Sequence, residues 1–287
     1  MDLLFHVYSK GEYVLFHDRL DYIYFHNKIA IASASFKLKI WAFTIMSTHF
    51  HAIIEATDET DILRFQSKIK QAYALHYNHK YDFSLRNNKA LKISHNIINN
   101  TNELKNKILY VLRNSTHHYV TTLPFQYEFC SAHSLFANEI TSNTIIQQYN
   151  NGHKKPKDLT YRKRRTIFGK NSVQNQYEID SNGMITFDSI INAKRVRAIW
   201  DGNVKKFMYD INSSITDANA AHIDWDMLDL RASSMSDMDV CQIIDNYSQT
   251  FGCKSLHKLN EEQKEIIVKY LIKRMVSIEQ IKRCLWL

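Results

Sequence analysis

Proline and glycine are scarce in this chain, which has two prolines, Pro124 and Pro156, and six glycines in 287 residues. An all-β sandwich or barrel needs a turn every few residues, so so little punctuation argues against one. Four cysteines, Cys130, Cys241, Cys253 and Cys284, form no CxxC pair and are too sparse for a disulfide framework, which fits a reducing cytoplasm. Nowhere do about 18 apolar residues run without charge, and the opening MDLLFHVYSKGEY has neither a basic n-region nor a long apolar core. Neither secretion nor a membrane span is expected. Glycine-rich phosphate loops are also missing, so no nucleoside triphosphate is implied.

Aromatic and basic residues are plentiful. An apolar content of 45%, with 16 Tyr and 15 Phe, supports a packed interior, and the length suggests two domains or one with a large extension. Thirty-seven Lys and Arg against 29 Asp and Glu leave +8, which favours a polyanionic partner such as nucleic acid, although basic proteins without such partners are common.

Apolar spacing gives the order of elements. Strands are expected over 2–8, 37–47, 49–56 and 88–98. Helices are expected over 17–34, with Leu20, Ile23, Tyr24 and Ile31 on one side, and over 59–79, opened by Thr60 and striped by Ile62, Phe65, Ile69, Ala72 and Leu75. A third helix, 101–116, opens at Thr101 or Asn102 and buries Leu104, Ile108, Val111 and Leu112. The order β-α-β-β-α-β-α predicts an α+β fold of the ferredoxin-like split-βαβ kind, its helices on one face of an antiparallel sheet and the other face free. This first domain is expected to span 1–138.

A basic central region, 139–233, and a helical C-terminal domain, 234–287, should follow. The stretch 152–170 holds eight Lys/Arg in nineteen positions, and Lys154, Lys155, Arg162, Lys163, Arg164 and Arg165, with Lys194, Arg195 and Arg197 further on, are candidate DNA contacts; a solvated basic linker is the plain alternative. Asn182-Gly183 predicts a hairpin, and 191–200 a basic helix. Val276-Ser277 should separate two closing helical runs, which suit either helix-turn-helix contact or simple packing.

Candidate chemistry begins with HFH. In a strand, His49 and His51 share a face with Ile53 and Glu55, while Phe50, Ala52 and Ile54 share the other. Two neutral imidazoles at that spacing can hold one divalent ion, or can be structural. On the helix that follows, Tyr110 and Asn114 lie one turn apart; a phenol can act as nucleophile and an amide oxygen can complete a metal site, and an ordinary amphipathic helix could carry both. His117 and His118 end that helix. His6, on the first strand, could face the same surface but is not counted in the site.

Together these segments resemble the single-tyrosine HUH transposases, most closely the REP-associated tyrosine transposases. FHVYSKGEYVLF looks like that family's first strand and glycine turn, IWAFTIMSTHFHAIIE like its MPNHxH strand pair, and KALKISHNI with ELKNKILYVLRNSTHHYV like its strand and helix bearing YxxxN. The likeness covers roughly 3–136; Ser47-Thr48 stand where the family usually has Pro-Asn, and Ser115 replaces a common proline.

The resemblance implies an HUH nuclease fold in which His49, His51 and Asn114 hold Mg²⁺ or Mn²⁺ and Tyr110 attacks a phosphodiester of single-stranded DNA beside a hairpin, leaving a 5′-phosphotyrosine link. It further implies a cytoplasmic, nucleoid-associated transposase or endonuclease acting as monomer or homodimer. Alternatives are an inactive DNA-binding regulator of the same fold, a replication or mobilisation nickase, and a zinc hydrolase, which would want another His or carboxylate and no Tyr110.

Overall fold

Alternation of apolar and polar residues in LLFHVYSK makes Leu3–Lys10 the first strand, β1, with Phe5 and Val7 on one face and His6 and Tyr8 on the other. Helix α1 (Arg19–Ser35), β2 (Lys39–Ile45), β3 (Phe50–Ala56), α2 (Glu59–Tyr81), β4 (Lys92–Ile98) and α3 (Thr101–Leu112) follow, then a single turn, α4 (Asn114–His117). The computed structural model describes residues 2–85, 90–118, 120, 121, 123–136, 154–169, 173, 176–213 and 235–287. The expected boundaries at 138/139 and 233/234, and the expected strand start at 88, lie outside them.

The strands form one sheet in the order β2-β3-β1-β4, every neighbouring pair antiparallel. β1 and β2 therefore run the same way with β3 between them, and α1 makes the crossover. The β1/β3 register sets Tyr8 opposite His51 and His6 opposite Ile53.

One face of the sheet carries Phe5, Val7, Phe43, Phe50, Ala52 and Ile54 against α1 and α2. Phe25 of α1 meets Phe50 at 5.1 Å between ring centroids and Tyr73 of α2 at 5.2 Å. The buried stripe of α2 runs Ile62, Phe65, Ile69, Tyr73, Tyr77; the expected Leu75 is 63% exposed, because steps of four keep the later turns on the sheet. Leu20 of α1 likewise points outward. Asp58 and Asn100, not Thr60 and Thr101, cap α2 and α3, accepting from Thr60 N and Glu103 N.

The other face is not free, and here the sequence-based expectation is corrected. Helix α3 lies on it: Ile108, Val111 and Leu112 are buried, and Thr44 Oγ1 donates to Val111 O at 2.8 Å. Its apolar stripe has no other surface of the sheet to cover. The result is a mixed fold with helices on both sides of a four-stranded antiparallel sheet.

Described parts of the central region pack onto this unit. Helices α5 (Ala132–Leu135), α6 (Tyr161–Phe168), α7 (Ala193–Ile199) and α8 (Val204–Asn212) contribute to the same core through Leu135, Ile167, Phe168, Val196, Phe207 and Ile211. The hairpin at Asn182-Gly183 is present: Asp180 N donates to Met184 O at 2.9 Å, and Gly183 has φ +92 with Ile167 Cδ1 only 2.3 Å from where a Cβ would sit. It docks on the outer side of α1, where Asn27 bonds Gly183 O and Ile185 N and His26 Nε2 donates to Ile185 O. That is why α1 is buried nearly all round. The outer edge of β2 is covered in part by backbone bonds of Ile45, Phe43 and Ile40 to Phe129, Ser131 and Asn192.

Helices α9 (Asp237–Thr250), α10 (Glu261–Lys273) and α11 (Ile278–Leu285) build a second core around Val240, Ile244, Ile267, Leu271 and Ile281, with Val14 inserted from the first unit. The break expected at Val276-Ser277 is real: Met275 takes φ +63 and Ser277 caps α11. Among the described residues no helix is long and apolar enough to cross a membrane.

Candidate functional site

His49 sits at the end of the turn between β2 and β3, where Met46 N donates to His49 O at 2.7 Å. The turn is clamped from two directions. Leu15 N and Phe16 N both donate to Ser47 O, and Ser47 Oγ donates to Asp237 Oδ2 at 2.6 Å. Asp237 is itself fixed by Arg283 at 3.0 Å and by Gln280. Gly11 passes so close that a Cβ there would lie 2.1 Å from Thr48 O, which is the reason the SKGEY turn needs glycine.

Beyond the turn, β3 alternates as expected: Phe50 goes to the α1 face and His51 to the α3 face, where its ring centroid is 5.1 Å from that of His49. Tyr110 lies in the last turn of α3, with its ring 5.0 Å from His51 at 80° and 6.0 Å from His6 at 86°. The helix breaks at Arg113, yet Arg113 N still bonds Leu109 O and His118 N bonds Asn114 O, so Asn114 remains about one turn beyond Tyr110. Its side chain is 1% exposed and sets Oδ1 3.0 Å from His49 Nε2. His49, His51, Tyr110 and Asn114 therefore converge, although about sixty residues separate the two pairs.

Other residues join them. His6 Nε2 is 3.1 Å from His51 Nδ1, with Tyr8 stacked on its ring at 5.0 Å. Thr48 Oγ1 is 2.8 Å from His49 Nδ1, and the His118 ring lies 5.0 Å from His49. His6 joins the site because the β1/β3 register brings it beside His51, and its parity with Tyr8 in β1 is the one local signal of this.

Burial keeps these imidazoles neutral. It pushes His49 down to about 3, helped by the charge of His118 and opposed by the Asn114 hydrogen bond. It holds His51 well below its usual range, with His49, His6 and His118 adding to the effect. His6 is pushed to about 3 by burial and then Lys107, and His117 to about 4 by burial and then Arg113. A neutral imidazole offers a lone pair, which a metal needs and an imidazolium lacks.

The donor chemistry fits one divalent ion. Two ligands at right angles on an ion, each bonded at 2.0–2.2 Å, stand about 3 Å apart, and His49 Nε2 and Asn114 Oδ1 have that separation. Among the described residues no group of three or more His, Cys, Asp or Glu is arranged to hold a metal; an ion at this cluster would have two imidazoles and an amide as its donors. Glu55 shares the face but is committed elsewhere, accepting from Lys39 Nζ at 2.5 Å and Trp41 Nε1 at 2.9 Å.

The candidate DNA contacts lie apart from this cluster. Arg162, Lys163, Arg164 and Arg165 are exposed on α6, which packs on α1 and so belongs to the opposite side of the sheet from Tyr110. Lys163 bonds Ser181 O and Arg165 bonds Tyr161 Oη. Lys154 is exposed and Lys155 pairs with Glu178 at 3.1 Å. Lys194 and Arg195 are exposed on α7, whereas Arg197 donates to Leu135 O at 2.5 Å and lies over the Phe136 ring. Of the expected basic stretch, 152, 153 and 170 lie outside the described residues.

No family model and no curated protein matches the chain. One solved structure, described as that of "the REP associates tyrosine transposase bound to a REP hairpin", is similar over 50% of this chain and 82% of its own, at 14% identity and a TM-score of 0.37. This is a likeness and not membership of a family.

Proposed function

We propose that the chain is a single-stranded DNA endonuclease and strand transferase of the HUH transposase kind, with the sheet order β2-β3-β1-β4 as its ferredoxin-like split βαβ. The observation that carries this reading is the convergence of a phenol, two neutral imidazoles and an amide oxygen, with Tyr110 5.0 Å from His51 and Asn114 3.0 Å from His49. A structural histidine pair has no need of a partly buried tyrosine laid across it.

In this reading His49, His51 and Asn114 would hold Mg²⁺ or Mn²⁺, which would supply positive charge beside the phosphoryl oxygens. Imidazole donors suit Mn²⁺ better than Mg²⁺. Tyr110 Oη attacks phosphorus: the Oη–P bond forms, the P–O3′ bond breaks, the phenol gives up its proton and the departing 3′ oxygen takes one. One phosphodiester replaces another, so the 3′-hydroxyl can reverse the step without ATP. Backbone clamping of the Ser47 carbonyl and the Asp237 contact orient the His49 turn before substrate arrives. Exposed Arg162, Arg164, Lys194 and Arg195 add affinity for phosphate that falls with salt.

The test is incubation with labelled single-stranded hairpin DNA in Mn²⁺ or EDTA. Wild type should give a denaturant-resistant protein–DNA adduct that EDTA and Tyr110→Phe each abolish. Cleavage that survives Tyr110→Phe sinks the reading, and DNA binding without cleavage in wild type identifies a non-catalytic binder.

A further inference from the structure

An imidazole binds an ion only through a nitrogen that carries no hydrogen, so the partner of the other nitrogen decides whether the ring is ready. The partners of His49 and His51 in the structure set both rings the wrong way for binding through Nε2. His49 Nε2 faces Asn114 Oδ1, which only accepts, and so Nε2 carries the hydrogen; Nδ1 then accepts from the Thr48 hydroxyl at 2.8 Å. Between His51 Nδ1 and His6 Nε2, at 3.1 Å, one must donate. His6 Nδ1 is buried with no partner among the described residues, and a stranded N–H costs more than an idle lone pair. His6 therefore carries its hydrogen on Nε2 and donates it, which leaves the His51 hydrogen on Nε2.

Resting on the ligand reading above, we infer that His6 and Thr48 are positioning residues that let both rings exchange tautomer when an ion enters. Each ring gives up its Nε2 hydrogen and gains one on Nδ1, so neither changes charge. The Thr48 hydroxyl turns from donor to acceptor for His49. His6 moves its own hydrogen from Nε2 to Nδ1 and accepts from His51. A hydroxyl and an imidazole can play both parts, whereas a carboxylate or carbonyl cannot donate. The stranded His6 Nδ1–H is then a cost of binding, and the Thr48 side carries no such cost, so the two partners tune affinity unequally.

The test measures Mn²⁺ affinity of the full chain by electron paramagnetic resonance, with thermal midpoints as a check on folding. Thr48→Val and His6→Leu should weaken Mn²⁺ about 10- to 100-fold. Thr48→Ser and His6→Gln, whose side chains both donate and accept, should restore most of it. In proton–nitrogen correlation spectra, Mg²⁺ should move the hydrogens of His49 and His51 from Nε2 to Nδ1. Unchanged affinity in Thr48→Val and His6→Leu, or spectra that show no exchange on binding, would overturn the inference while leaving the metal site standing. A wild type that binds neither ion removes the ligand reading itself.

Discussion

Two buried polar clusters lie on opposite sides of the same sheet, and they differ in the group at their centre, a charged carboxylate in one and neutral imidazoles in the other. On the α1/α2 side the Asp21 carboxylate accepts from His17 N, His76 Nε2 at 2.8 Å, Lys80 Nζ at 2.8 Å and Tyr81 Oη at 2.5 Å. Burial alone would raise its pKa, but the His76 bond and the Lys80 charge hold it below the usual carboxylate range. On the α3 side His6 and His51 bond each other while His49 bonds Asn114 and Thr48, and among the described residues His6 Nδ1 and His117 Nε2 have no partner, as His17 Nδ1 has none on the α1/α2 side. A carboxylate ringed by donors is finished as structure. A group of neutral bases facing one another, close to a phenol, leaves lone pairs for something else.

Breaking the Asp21 cluster should have the largest effect on stability. Asp21→Ala leaves Lys80 partly buried without its inner partner, and the expected loss is about 3–5 kcal/mol in urea unfolding. Mn²⁺ affinity of the molecules that remain folded should not change. A loss under about 1 kcal/mol would mean that the cluster is dispensable and the contrast false.

Acid comes next, and it acts on the buried imidazoles of both clusters. Burial pushes His17 down to about 4, against the pull of Asp21. Between about 6.5 and 4 the unfolded chain therefore binds a proton that the folded chain refuses. The contribution of His17 is complete above about 6.5 and falls as pH drops toward 4, by about 1.4 kcal/mol per unit. His17→Gln should flatten the stability curve in that window by about one proton, measured by urea titration at several pH values. An unchanged slope would place the His17 ring in contact with water.

The smallest effect on the fold should come from the basic helix. Arg162→Ala with Arg164→Ala touches no buried group, so stability should move by less than about 0.5 kcal/mol. If both reach phosphate, the salt dependence of single-stranded DNA binding loses about 0.7 per contact in slope, while adduct formation at saturating DNA keeps its rate. An unaltered slope would make this face of α6 simply solvated.

Much of the framework was legible in the residues. Period-two alternation in LLFHVYSK and FHAIIEA and the helical spacing of Leu104, Ile108 and Leu112 gave the order of strands and helices, because each pattern is local and every element buries one stripe. The stripe of α2 departs from its expected course past Ile69, where Tyr73 and Tyr77 are buried in place of Ala72 and Leu75. Aromatic residues with polar tips look ambivalent in a sequence, and here Tyr73 Oη donates to Leu15 O and so can be buried whole.

Parity along β3 already separated Phe50 from His49 and His51, and one helical turn already linked Tyr110 to Asn114; both follow from backbone geometry that any sequence must obey. Tertiary structure alone decided that α3 lies across the histidine face, that β1 runs beside β3 and so delivers His6 to His51, and that Asp237 reaches Ser47 from 190 residues away. Those contacts depend on which surfaces meet, and side-chain periodicity records only that a surface is apolar, never what covers it.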